Sequence, residues 1–207
     1  MRYRAQLFRR CKFRVMDRHE FRAQLSALDL ADRADERRAR EAMLALLDEG
    51  SDCFTRSTFP AHFTGSALVA SADGSRALLH HHRKLDRWLQ FGGHCDGDED
   101  VLCVACREAD EESGIANLIV ASAWPFDLDL HEIPANTDEP SHWHYDVRYV
   151  LIAPADAVCA PSAESKELRW FTADEMEQLP LDAGMRRMVT KWRALYARRA
   201  HHVADQP

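Results

Sequence analysis

The sequence predicts an α/β fold, a sandwich of helices around a mixed sheet, and three observations carry that reading. Residues 65–71 and 76–82 are strand-like runs separated by Ala72-Asp73-Gly74-Ser75, the pattern of a hairpin closed at an Asp-Gly turn. Residues 118–133 and 142–153 read as two long strands around a turn-rich stretch at 134–140, with polar and apolar side chains alternating. Met185, Met188, Val189, Trp192 and Leu195 then recur at helical spacing within residues 182–199.

The other elements fit around these. Phe21, Leu25 and Leu28, followed by Ala42, Met43, Leu46 and Leu47, repeat at helix spacing between residues 19 and 50, and Gly50 supplies a stop. This is an N-terminal helical extension, joined to the main domain by a Thr- and Phe-rich segment at 55–64. Residues 168–171 form a short strand, and Thr172 or Asp174 is suited to cap a following helix. The expected division is an extension at 1–56 (a basic arm, then helices), a main domain at 57–200 and a tail at 201–207.

Composition narrows the class. The 207 residues are 46% hydrophobic and 29% charged, the balance of a globular protein. No apolar run approaches the ~20 residues of a membrane span, and no apolar leader follows the N-terminus, so a cytoplasmic protein without a membrane partner is expected. Six scattered cysteines, Cys11, Cys53, Cys95, Cys103, Cys106 and Cys159, read as reduced thiols. Cys103 and Cys106 have the look of small buried helix residues. The net charge of −7 conceals seven bases and one acid in residues 1–18, so the remainder is more acidic still. That acidic body argues against a dedicated nucleic-acid binder, and the basic arm is either a surface-contacting segment or an over-extended start ahead of Met16.

Residues 93–115 hold the densest chemistry. Gly93 is followed after five residues by Glu99, after seven more by Arg107-Glu108-Ala109, and then by Glu111-Glu112 and Gly114-Ile115. Asp98 or Asp100 can cap a helix here, and Gly114 suits the left-handed position past its end. At about 100° per residue, Glu108, Glu111 and Glu112 fall within roughly a third of the helix circumference. Leu102, Cys106 and Ala109 lie on another side and can face a core. Three carboxylates on one face repel one another, and a hard oxygen-seeking cation such as Mg2+ or Mn2+ relieves that repulsion. Such a cation bridges phosphate oxygens and helps generate an attacking water while a spare carboxylate acts as base.

Every position of the Nudix box is filled, a coincidence on the order of one in ten million by residue usage, and the chain resembles the Nudix hydrolase family over about residues 63–199. The resemblance implies a Nudix-type α/β/α sandwich with a mixed sheet, and a small-molecule nucleoside diphosphate-type substrate cleaved at its diphosphate linkage. It implies that Glu108, Glu111 and Glu112 bind Mg2+ or Mn2+, with Glu111 or Glu112 assisting the water. It also implies that Glu99 fixes Arg107, that Gly93 and Gly114 are structural, and that a further carboxylate comes from a loop before the last strand. Glu164 and Glu167 are the candidates there, with Glu164 taken as catalytic. Such domains often pair, so a homodimer is open.

Substrate choice lies outside the box. Asp127, Asp129 and His131 share one strand face, and His142, His144, Asp146 and Arg148 share another. If the two strands pair, one sheet face gathers these groups, either as substrate contacts, as an ordinary solvated face, or, through His-x-His, as a transition-metal site. Arg83 or Lys84 can meet phosphate, and Phe91 stands where many family members carry proline. The fragment Ser-Ala-Trp-Pro-Phe at 122–126 partly resembles the motif of NADH-cleaving members, without its flanking residues. Two further readings share the fold: a non-catalytic nucleotide sensor, and an isopentenyl-diphosphate isomerase-like enzyme using Cys95.

Overall fold

The computed structural model describes residues 16–50 and 52–204, so the basic residues before Met16 and the calls made on them lie outside the described residues. In chain order the elements are α1 (Arg18–Ser26), α2 (Ala34–Asp48), β1 (Ala61–Ala70), β2 (Ala77–His82), β3 (Arg87–Leu89), β4 (Phe91–His94), α3 (Val101–Ser113), β5 (Ile119–Val120), β6 (Asp127–Ile133), β7 (His142–Ile152), β8 (Ser165–Phe171), α4 (Ala173–Glu177) and α5 (Ala183–Ala204). The strands bond in the order β3-β2-β1-β7-β5, with β4 beside β1, β6 beside β7 and β8 beside β2. This is the expected α/β class with helices at the N-terminus. No helix among the described residues is long and apolar enough to cross a membrane.

The chain forms two compact units, each assembled from non-contiguous segments. Among the described residues, the first holds those from 16 to 67, 92–109 and 120–150. Here Asp17 caps α1, its carboxylate accepting the Glu20 N–H at 2.9 Å while Glu20 reaches back, a reciprocal capping box. The amphipathic face this directs inward places Phe21 against Phe63 and Phe54, with ring centroids 5.3 and 6.1 Å away, and all three rings are buried. The helical extension is thus fastened into this unit by aromatic packing. A β-hairpin of β6 and β7 completes it, in register from Asp127 opposite Arg148 to Ile133 opposite His142.

The second unit holds residues 68–91, 110–119 and 151–204 of those described. The end of β1 pairs with β2 as the hairpin signal predicts, Gly74 turning at φ +71°. β2 also pairs with β8, from Ala77 opposite Phe171 to His82 opposite Ser165. Thr172 rather than Asp174 caps α4, in a capping box with Glu175.

Two expectations need correction. Residues 118–133 do not form one strand: the chain leaves the ladder after the Ala121 N–H bonds Val150 O and rejoins it where the Phe126 N–H bonds Arg148 O. Pro125 lies in that gap and has no N–H to offer a ladder. Cys103 and Cys106 are half-buried, not core residues.

Candidate active site

α3 begins and ends where the residue spacing places it. Asp100 Oδ1 accepts the Cys103 N–H at 3.0 Å, and Asp98 Oδ1 accepts the Asp100 N–H at 3.1 Å, so both candidate caps act in sequence. Gly114 takes φ +67° just past the helix and bonds Asp110 O at 3.0 Å, a closure a larger residue would strain. Between these ends Glu108, Glu111 and Glu112 occupy adjacent turns: Glu108 half-buried, Glu111 exposed, Glu112 buried.

Two glycines set the helix close to its strands. A Cβ at Gly65 of β1 would lie 2.7 Å from Val101 O and 3.0 Å from Val104 Cγ1, so the helix start rests directly on the strand backbone. A Cβ at Gly93 of β4 would lie 2.7 Å from both the carboxylate carbon and Oε2 of Glu108. The carboxylate therefore lies in space that only a glycine leaves open.

Arg107 positions that carboxylate. Its Nε and Nη2 donate to Glu108 Oε1 at 3.1 and 2.7 Å, and Nη2 also donates to His94 O at 2.9 Å. One guanidinium thus ties the helix to the end of β4. The resemblance pairs Glu99 with Arg107, and the structure sets Glu99 beside the start of the first helix as well. Glu99 meets Arg18, accepting its backbone N–H at 3.1 Å and lying 3.6 Å from its Nε. The N-terminal helix delivers that cation, and Arg107 is already engaged by its neighbour in sequence.

In the second unit Glu164 is exposed just before β8, whereas Glu167, expected on the same loop, is exposed within the strand opposite His81. Glu164 O accepts the Arg83 N–H at 2.7 Å, and the Arg83 side chain donates to Ala163 O and Ser165 O at 3.1 and 2.8 Å. Arg83 is therefore occupied with the backbone of the 163–165 loop, while Lys84 stays exposed. Burial pulls the His82 imidazole below its ordinary range, with Glu164 opposing and Lys84 assisting that shift. The structure thus gathers Arg83, Lys84 and Glu164 around His82.

The hairpin pairs the two strands and brings the remaining residues together, Asp129 opposite Asp146 and His131 opposite His144. Arg148 is 2% exposed and binds three carboxylates: Asp146 at 2.7 Å, Asp129 at 2.9 Å and Asp127 at 3.4 Å. Burial alone would pull this guanidinium down, but Asp146, Asp129 and Asp127 together hold it above its ordinary value. Thr64 and Ser66 donate to Asp146 Oδ1 at 3.0 and 2.7 Å. Asp127 and Asp146 are buried in this network, whereas His131 is 40% exposed and bonds Asp129 at 3.2 Å.

Residue-pattern reasoning overlooked His62 and His94. Both rings join His142 and His144, with His62 centroids 5.0 Å from each of those two and His94 4.9 Å from His144. The signal existed: His62, Thr64 and Ser66 alternate along β1, marking a polar face on a strand buried throughout. Cys95 is buried, and burial pushes its thiol well above the ordinary range.

An α/β sheet flanked by helices, with a Glu-rich helix set against a glycine strand, defines a class that comparison makes specific. The profile of the NUDIX domain matches residues 62–192, and the chain belongs to this family. A Mycobacterium tuberculosis protein provisionally named 8-oxo-dGTP diphosphatase 3 is 30% identical over 132 residues, 59% of this chain and 55% of that protein. The chain thus spans about half the length of the curated relatives it matches. A NUDIX family hydrolase from Clostridium perfringens superposes with a TM-score of 0.52 at 22% identity, covering 65% of this chain and 97% of the other. A possible asymmetric diadenosine tetraphosphate hydrolase from Jonesia denitrificans superposes at 0.51 with 20% identity, covering 65% and 93%. Both likenesses are of fold.

Proposed function

We propose that this protein is a Mg2+- or Mn2+-dependent hydrolase that cleaves the diphosphate linkage of a nucleoside diphosphate-type compound by attack of water. The observation that carries the reading is the seating of Glu108 against Gly93, with Glu111 and Glu112 one turn further along the same helix. The donor set fits the ion: Glu108, Glu111 and Glu112 offer only anionic oxygens, which hard divalent cations prefer. When bound, the cation polarises phosphate oxygens and lowers the pKa of a water.

The chain's own groups do the rest. Arg107 fixes the orientation of Glu108. Glu111 or Glu112 takes the proton of the attacking water, the exposed Glu111 from the solvent side. Glu164 is a second base on the loop before β8. Lys84, exposed in the turn after β2, meets substrate phosphate. On the polar face of the hairpin, the half-buried His131 and Asp129 contact the rest of the substrate. A nucleotide-sensing role without turnover would not require this complete carboxylate set.

A panel of diphosphate compounds tests the reading: an oxidised purine nucleoside triphosphate, a dinucleoside polyphosphate, a nucleotide sugar and a dinucleotide, each with Mg2+ and with Mn2+. Cleavage at one diphosphate linkage, abolished by chelator and restored by either ion, is the expected result. Binding without cleavage across the panel would favour the sensor.

A further inference from the structure

We propose that His62, His142 and His144 form a binding site for a first-row transition-metal cation of the Zn2+ class, chemically separate from the carboxylates of α3. One ring nitrogen from each residue lies within 4.8 Å of the other two. The three come from neighbouring strands of one sheet, His62 from β1 and His142 and His144 from β7. An ion at the centre of such a triangle sits at most about 2.8 Å from each nitrogen, against about 2.0–2.1 Å for a zinc–imidazole bond. Small ring rotations close that gap.

Two of the three tautomers are already set for coordination. His62 Nδ1 is 3.1 Å from Thr58 O, and His142 Nδ1 is 2.9 Å from Pro140 O. A carbonyl oxygen only accepts, so in both rings Nδ1 carries the hydrogen and Nε2 keeps a lone pair. Metal-binding histidines are oriented in this way, with the second ring nitrogen donating to a backbone carbonyl or carboxylate. His62 and His142 are 1% and 2% exposed, and the Nε2 atoms of His62 and His144 are buried without a hydrogen-bond partner. Buried polar atoms are normally satisfied, so these two are unexplained by the protein alone. A cation satisfies both at once.

The ligand type selects the ion. Three neutral imidazoles suit Zn2+ and its neighbours in the row and suit Mg2+ poorly. The His94 ring lies beside the group, 5.2 Å from His62 and 4.9 Å from His144 by centroid, which leaves the fourth position of a tetrahedral ion to water.

The test uses the full, untagged chain stripped with chelator. Titration with Co2+ is followed by visible absorption, and Zn2+ binding by calorimetry and by metal analysis after dialysis. One equivalent of Zn2+ and the intense absorption of tetrahedral Co2+ are expected in the wild-type chain. Both are expected to persist in the Glu111→Gln/Glu112→Gln variant and in His81→Ala. His142→Ala and His144→Ala should each weaken Zn2+ binding by at least about 100-fold with unchanged circular dichroism. A weak octahedral Co2+ spectrum in the wild-type chain overturns the site without any variant having to fold. So does Zn2+ binding that is lost with the glutamates and kept without the histidines.

Discussion

A Cβ on Gly93 would sit 2.7 Å from the carboxylate carbon of Glu108, closer than real Cβ contacts come. The obstacle is the far end of a flexible side chain, so Gly93→Ala is expected to displace the carboxylate while leaving the strand and helix in place. Misplacing a reacting group by about 1 Å costs on the order of 10²-fold in rate. Turnover should fall by about that factor with a melting temperature near wild type. Wild-type turnover would separate Glu108 from the chemistry.

Glu112 is 8% exposed, and glutamine copies its shape without its charge. Glu112→Gln is expected to keep the fold and lower kcat by about 10²–10⁴-fold, the usual worth of a positioned base. Steady-state kinetics alongside circular dichroism decide the matter. Retention of near-normal kcat would move the base elsewhere, to Glu111 or Glu164.

The buried Arg148 answers three aspartates within 3.4 Å. Removing it leaves their charges uncompensated in the interior, and such losses cost about 3–5 kcal/mol. Arg148→Met should lower stability by that amount in denaturant titrations at neutral pH. A loss below about 1 kcal/mol would mean the carboxylates find solvent.

His80 is 2% exposed, with Nδ1 3.0 Å from Ser165 Oγ. Burial, helped by His82 and His81, pulls its imidazole from 6.5 to about 4. The folded state therefore resists protonation. Its contribution is fully present above the unfolded value and is lost as pH falls from about 6.5 to about 4, to the extent of about 3 kcal/mol. His80→Gln should flatten that acid branch of the stability profile. An unchanged slope would assign the acid sensitivity to other groups.

Much of this was legible in the residues. The box foretold α3 with both its ends, because capping and a left-handed glycine are local effects written at fixed spacing. The period-two pattern foretold the β6–β7 hairpin and its shared polar face. What escaped is non-local. Arg18 meets Glu99 across 81 positions of chain, and His62 reaches His142 across 80, distances over which spacing carries no information. The short strands β3 and β4 lack enough residues for a periodic signal. The break before Phe126 turned on one missing N–H at Pro125, overridden in the pattern by flanking apolar residues.

The Phe21–Phe54–Phe63 cluster bears on where the working protein starts. The family match opens at residue 62, yet two of those three interlocking rings come earlier in the chain. Trimming the gene to the recognised domain would strip Phe63 of both partners and expose it to solvent. The minimal cooperative piece is longer than the minimal recognisable one, and expression trials should begin no later than Asp17, the residue that caps the first helix.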